Sequence, residues 1–280
     1  MAAPGPMAWE LACSPMANCT GMGRPECLAF EWAARSSGSE LGRVLVDWKD
    51  APSASTTACD AHRPTFCRGR SRRGLKLAGA VGEGYTLLAL PTSLTPADVE
   101  AALPNMTASA RALLAREAAA GADAEQEAQQ VALALFLMHC AALPTSSLAR
   151  RWRPLLQLLP RHFHTTLDLG EEAARTLGAS RTLPRAARTL KRLRALYNRL
   201  FPALSTAHPS ALPTAVISFG LFRWAMDAVR SRAFAPPPPR GVAGGAPPAP
   251  SIALTPVADL INHAESSALG WRTDAGRLEL

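Results

Sequence analysis

The residues best suited to do chemistry stand near the end of the sequence, in TPVADLINHAESSALGW at residues 255–271. A short apolar run there leads directly into Asn262 and His263, whose side chains hydrogen-bond or bind ligands. This pattern predicts a buried segment that ends at a binding site. It is also typical of a strand or helix end with a polar cap, since Asn often stops such elements. We interpret Asp259, just before this pair, as structural.

Cysteine and histidine offer a second candidate site, because Cys59, His62 and Cys67 are residue types that bind zinc. However, no C-x-x-C pair occurs among the six cysteines, and their gaps do not match zinc-finger spacing. Free thiols in a reducing compartment are therefore the better interpretation, and the sequence predicts no metal site.

Composition limits the class of protein and its partners. The 280 residues are 48% hydrophobic, enough for a real core, and carry a net charge of +8. The excess of basic residues concentrates in CRGRSRR (67–73) and in a basic cluster of five residues: Arg185, Arg188, Lys191, Arg192 and Arg194. Such clusters favour an acidic partner or form a solvated face. Because aromatic residues are few and lie apart from these clusters, a nucleic-acid stacking platform is not favoured.

Targeting signals and membrane spans are not evident in the sequence. The longest apolar run, VALALFLMHCAAL (131–143), is about half a typical span and contains His139, so it predicts a buried helix. The N-terminus lacks the basic region of a secretory signal. We therefore expect no membrane and no secretion, whereas cytoplasm, nucleus and chloroplast all remain compatible.

The elements that must position the candidate residues form two kinds of region. Residues 1–66 are weakly patterned and predict no particular fold. From residue 71 the chain predicts a strand, a Gly-rich hairpin turn (79–84), a second strand in YTLLAL, and a helix that begins with Thr95 as N-cap and Pro96. The glycines do not follow the dinucleotide pattern G-x-G-x-x-G.

Helices follow, at 107–120, at 123–143, in SSLARRWRPLLQLLP and at about 183–200. Another helix is predicted within 212–234, with Phe222, Met226 and Val229 on its apolar face and Asp227 elsewhere. A Pro-rich loop, a strand-like run from Ile252, and a further strand and turn after Gly270 complete the pattern. Strands and helices do not alternate, which favours an α+β class over a doubly wound sheet.

Two of these stretches together resemble a known family. SRAF (231–234) at a helix end, followed by PVADLINH (256–263), resembles the SET-domain protein-lysine methyltransferases, and in particular the subgroup typified by the Rubisco large-subunit methyltransferase. RGLKLAG, VGEGYTLLALPTSL and RRWRPLLQLLP resemble further family segments in the same order.

The resemblance implies an α+β chain in which an incomplete SET-domain β-fold is interrupted by a large helical insert. The implied segments are an N-terminal region (1–66), a first β portion (67–100), the helical insert (101–211) and a second SET portion with the Asn-His motif (212–280). The implied function is transfer of a methyl group from S-adenosylmethionine to a lysine of a non-histone protein. Such a reaction mainly needs two reactants held in line.

Roles of individual residues follow from the same resemblance. Arg232 would face the carboxylate of the cofactor, since a guanidinium suits bidentate pairing. Asn262 and His263 would bind the cofactor, and backbone atoms of Arg73, Gly74 and Leu75 would border it, with glycine allowing close approach. From the residues alone, the better interpretation of Arg232 is a cation at a helix C-terminus, and that of His263 is a hydrogen-bonded structural histidine.

The sequence departs from the family pattern at several positions. Lys76 stands where the family has a second glycine, and Arg73 where an acid is common. The family tyrosine that follows Asn-His is absent, because the only tyrosines, Tyr85 and Tyr197, precede it. We therefore expect a truncated member without an assigned catalytic residue. The alternative is a non-catalytic module that docks an acidic partner through the basic cluster.

Overall fold

The computed structural model describes residues 40–41, 44–49, 72–77, 88–90, 94–116, 122–160, 163, 165–168, 176, 180–236, 251–255, 272–274 and 277–279. The chain divides into two compact units. The strand unit comprises Met1–Ser93, Pro236–Pro247 and Thr255–Leu280, and the helical unit comprises Leu94–Ala235 and Pro248–Leu254.

The described part of the strand unit contains two antiparallel sheets. Its strands are β1 (Glu40–Leu41), β2 (Val44–Lys49), β3 (Arg72–Leu77), β4 (Leu88–Leu90), β5 (Arg272–Asp274) and β6 (Arg277–Glu279). One sheet has the strand order β1-β4-β6-β5, and β2 pairs with β3 in the other. The predicted strand near Leu75 and the predicted strand after Gly270 are confirmed, and the latter becomes the β5–β6 pair.

Among the described residues, the two strands around the glycines do not pair with each other as predicted. β3 pairs with β2, with Val44 opposite Leu77, whereas β4 pairs with β1 and β6. The turn residues 79–84 themselves lie outside the described residues. Glycines indicate a local change of direction but do not select the partner of a strand, which depends on other strands. The six-residue partner VLVDWK comes from the region for which the sequence predicted no fold.

The helical unit contains six α-helices among its described residues. They are α1 (Pro96–Ala102), α2 (Pro104–Ala115), α3 (Ala122–Ala142), α4 (Ser147–Leu158), α5 (Thr182–Ala207) and α6 (Phe219–Arg232), with a 3₁₀ helix at Thr166–Asp168. The predicted start of α1 is confirmed, because Thr95 Oγ1 accepts from the Asp98 N–H at 3.2 Å and the Asp98 carboxylate accepts from the Thr95 N–H at 2.8 Å. This reciprocal cap satisfies two N–H groups that the helix leaves open.

The core of the helical unit is built around α3. Its central residues Val131–Met138 are at most 7% exposed, and α3 packs against α1, α2, α4 and α6. The Phe136 ring meets Trp152 of α4 edge to face, with centroids 5.8 Å apart. A helix that is apolar on all sides is stable only when surrounded, so the predicted buried helix is confirmed.

Among the described residues, no helix is by itself long and apolar enough to span a bilayer. Asp123–Ala142 and Ser147–Arg153 meet the length and composition requirement only together, across a bend of 101°. The burial of Val131–Met138 within the helical unit accounts for their apolar character.

Helix α6 buries more of its surface than its apolar stripe predicts. Phe222, Met226 and Val229 are buried as expected, but Asp227 is also buried, at 6% exposure. The placement of Asp227 away from the buried face is therefore wrong. Because α6 packs against both α3 and α5, two of its sides face other helices. Arg223, one turn earlier, lies 3.7 Å from the Asp227 carboxylate and compensates its charge.

Burial also controls the reactivity of Cys140 in α3. Its exposure is 1%, and burial raises the pKa of the Cys140 thiol to about 12. Since the thiolate is the nucleophile, we expect Cys140 to resist iodoacetamide at pH 8 in the folded protein and to react fully in urea. Peptide mass mapping measures the modified fraction at this position. Modification of Cys140 at the rate of free glutathione in the folded protein would contradict the assigned burial.

Candidate functional site

The SRAF stretch forms the end of α6 and the start of a strand-like segment. Ser231 and Arg232 are the last residues of α6, and the Ser231 hydroxyl donates to the Asp227 carbonyl at 2.6 Å. Ala233 leaves the helix with φ −80° and ψ 140°, and its N–H donates to the Val229 carbonyl at 2.8 Å. The turn from helix to extended chain therefore occurs directly after Arg232.

Phe234 connects this helix end to the segment that leads toward Asn-His. The Phe234 N–H donates to the Ala253 carbonyl at 3.1 Å, and the Ala253 N–H donates to the Phe234 carbonyl at 2.9 Å. Leu254 makes the equivalent pair of bonds with Leu94, at 2.8 and 3.0 Å. The predicted strand-like run after Ile252 is confirmed as a short extended segment held on both sides.

A buried glutamine provides a third attachment of this segment, which sequence reasoning did not find. The Gln129 side chain, 7% exposed in α3, accepts from the Ile252 N–H at 3.1 Å through Oε1. Its amide nitrogen lies 3.4 Å from the Glu125 carboxylate. The path of the chain is thus fixed as far as the buried Thr255. Asn262 and His263, like Asp259, lie outside the described residues.

Arg232 is the last residue of α6, and its predicted role toward a cofactor stays a prediction. Its side chain is half-buried at the C-terminal end of α6. A cation there is stabilised by the helix dipole. Arg232 lies two residues before Phe234, whose backbone pairs with that of Ala253. This pairing connects the end of α6 to the extended segment at residues 252–255.

The three predicted backbone residues are consecutive in β3. Arg73, Gly74 and Leu75 pair with Trp48, Asp47 and Val46 of β2 in regular register. A glycine inside a strand commonly marks a bulge or a close approach of another group. The register continues without a bulge on both sides of Gly74, and the predicted close approach of the cofactor stays a prediction.

Tyr197 has a structural role in the helical unit. Its ring stacks on Phe201 with centroids 4.8 Å apart, and it also contacts Phe219 and Phe222 at 5.7 and 5.9 Å. These contacts join α5 to α6. The other tyrosine, Tyr85, lies outside the described residues.

The basic cluster is partly engaged within the protein. Arg192 donates to Glu127 of α3 through Nη2 at 2.9 Å and through Nε at 3.2 Å. The Arg194 guanidinium lies 3.7 Å from the centre of the Phe219 ring, a cation–π contact. Arg185, Arg188 and Lys191 are exposed. Two of the five side chains therefore hold helices together, which does not favour the docking alternative.

Among the described residues, no group of three His, Cys, Asp or Glu side chains comes close enough to hold a metal ion. The candidate residues Cys59, His62 and Cys67 lie outside that part of the chain.

Comparison with known proteins identifies the fold. No protein-family model matches the sequence, and no curated protein matches it. Among solved structures, the chain is similar to the SET domain of LSMT bound to lysine and AdoHcy, with a TM-score of 0.62 and 16% sequence identity. The likeness covers 91% of this chain and 49% of that chain, so this protein spans about half the length of its neighbour. The predicted SET-type resemblance is thus confirmed as a SET-domain-like fold.

Proposed function

We propose that this protein is an S-adenosylmethionine-dependent protein-lysine N-methyltransferase of the Rubisco large-subunit methyltransferase type, acting on a non-histone protein. The structural neighbour was solved with lysine and AdoHcy, the compound left when S-adenosylmethionine donates its methyl group. The observation that carries the proposal is the bridge between Phe234 and Ala253, which ties the SRAF helix end to the chain that enters PVADLINH.

The cofactor supplies an electrophilic methyl group on its sulfonium sulfur. The residues of the chain bind and orient it. Arg232 would pair with the cofactor carboxylate through its two parallel donors. Asn262 and His263 would hydrogen-bond the cofactor, and the backbone of Arg73–Leu75 would border it, as the resemblance implies. His263 binds and does not act as a base in this proposal.

The proposed partner is a protein that presents a lysine. We also propose that the SET domain is formed by two portions of the chain, 67–100 and 212–280, and that residues 101–211 are a helical insert between them. The proposed function is compatible with a location in the cytoplasm, the nucleus or the chloroplast. No residue is assigned as catalytic, since Tyr197 is committed to the aromatic contacts between α5 and α6.

Calorimetric titration with S-adenosylmethionine tests the cofactor part of the proposal. We expect the parent chain to bind, and the double variant Arg232→Ala, Asn262→Ala to lose at least about tenfold in affinity because two polar contacts disappear. A matched control is Arg188→Ala, Asn198→Ala, which removes the same residue types from exposed positions of α5.

The control variant is expected to bind like the parent chain. Circular dichroism of each variant verifies that it is folded. Absence of binding by a folded parent chain, or equal affinity in the Arg232 and Asn262 variant, would overturn the cofactor site. A positive result leads to the second measurement, transfer of a labelled methyl group to lysines of a protein mixture.

A further inference from the structure

The helical unit contains a cavity, lined in part by basic and hydroxyl side chains, that the proposed methyl transfer does not use. Its volume is about 390 Å³, and it lies between the 3₁₀ helix at Thr166–Asp168, the first turns of α5 and the last turns of α6. Two guanidinium groups line it, those of Arg185 and Arg230. Five hydroxyl groups also line it, those of Thr165, Thr166, Thr182, Thr189 and Ser231.

The lining of the cavity by α5 follows from helical spacing. Thr182, Arg185 and Thr189 are three and four residues apart, so their side chains share one face of α5. Thr182 is the first residue of this helix, whose first turn carries no acidic side chain. The partial positive charge of the helix N-terminus is therefore not balanced by an acid of the first turn and adds to the field of the two arginines.

One carboxylate occurs among the described lining residues, that of Asp227. It is 6% exposed, and Arg223 lies 3.7 Å away on the same helix. Because Asp227 already faces a cation, its charge does not cancel those of Arg185 and Arg230. The polar part of the cavity wall thus combines positive charge with hydroxyl donors, beside apolar surface that includes Leu167 and Ala186.

We propose that this cavity binds an oxyanion of the phosphoryl type, either free phosphate or the phosphoryl group of a phosphorylated side chain. Arginine offers paired donors that match phosphate oxygens, and threonine hydroxyls donate to the remaining oxygens. The cavity exceeds the size of one oxyanion, which leaves room for the group that carries it. Arg232 is not among the described lining residues, so this site is separate from its proposed role toward the cofactor.

Calorimetry at constant ionic strength, with chloride as the balancing anion, tests the proposal with two probes. One is inorganic phosphate, and the other is N-acetyl-O-phosphoserine amide. The double variant Arg185→Gln, Arg230→Gln is expected to lose about tenfold or more in affinity for the probe that binds. The matched control Arg188→Gln, Lys191→Gln removes two positive charges from exposed α5 positions outside the cavity lining.

The control should change the affinity less than about twofold, since its charges act only through screened solvent. Equal binding of both probes identifies a free anion as sufficient, whereas tighter binding of the phosphoserine derivative identifies a phosphorylated side chain. Absence of binding by the folded parent chain, or an equal loss in the control variant, would overturn the proposal. Affinity for S-adenosylmethionine should stay unchanged in the double variant, which separates this test from that of the proposed function.

Discussion

Replacing Phe222 with alanine should lower the free energy of unfolding of the helical unit by about 3–5 kcal/mol. Phe222 is fully buried in α6, and its ring lies 5.1 Å from Phe201 and 5.9 Å from Tyr197. The change removes apolar contacts, leaves a cavity between α5 and α6, and forfeits aromatic pairing worth about 0.5–1.5 kcal/mol. Urea unfolding followed by helical circular dichroism measures the loss.

Val216 provides the control for this change, because it is 46% exposed and precedes α6. Val216→Ala should alter the unfolding free energy by less than about 0.5 kcal/mol. A double-mutant cycle with Phe201→Ala should reveal coupling, since the two rings touch. Equal effects of the Phe222 and Val216 changes, or strictly additive effects in the cycle, would contradict the packing of α5 on α6.

The helices of this fold are largely predictable from the sequence because their signals are local. The long apolar run of α3, the Thr95-Pro96 start of α1 and the spacing of Phe222, Met226 and Val229 each lie within one element. Burial then follows, since an apolar face must meet another element. Local patterns do not reveal which polar residues are buried together with the apolar face. Asp227 is buried because α6 packs against two helices.

Strand partners are much less predictable than strands. The sequence of β3 predicts a strand, but its partner β2 lies in the region for which no fold was predicted, and more than twenty residues separate the two. Pairing depends on the burial of both faces of a sheet and not on the composition of one strand. For the same reason the turn glycines indicated a hairpin, whereas among the described residues β3 pairs with β2.

Some features of the candidate site are determined by sequence motifs, and others are determined by packing. The order of SRAF and PVADLINH placed Arg232 at the end of a helix, and the structure has it there. The attachment of Ile252 to Gln129 joins residues 123 positions apart and leaves no local signal in the sequence. Likewise, the sequence alone indicated that Arg192 and Arg194 belong to a solvated basic face. In the structure they contact Glu127 and Phe219, which come from other helices.

Gln129 is therefore the residue through which packing should influence the proposed cofactor site. Gln129→Leu keeps the volume of the side chain but leaves the Ile252 N–H without its acceptor, which should cost about 1–3 kcal/mol of unfolding free energy. Because Ile252 precedes the bridge between Ala253 and Phe234, the segment that leads to Asn262 loses one of its three attachments. We expect weaker binding of S-adenosylmethionine as well as lower stability, measured by calorimetry and by urea unfolding.

Two comparisons separate this local effect from general destabilisation. Gln126→Leu makes the same change at an exposed position of α3 and should alter stability by less than about 0.5 kcal/mol. Phe222→Ala should destabilise the helical unit more than Gln129→Leu does. Below the unfolding transition it should affect cofactor affinity less, because the ring of Phe222 packs on Phe201 and Tyr197 of α5. The opposite ranking of affinities would show that cofactor binding follows the overall stability of the helical unit, and Gln129 would then have no special part in positioning the Asn-His segment.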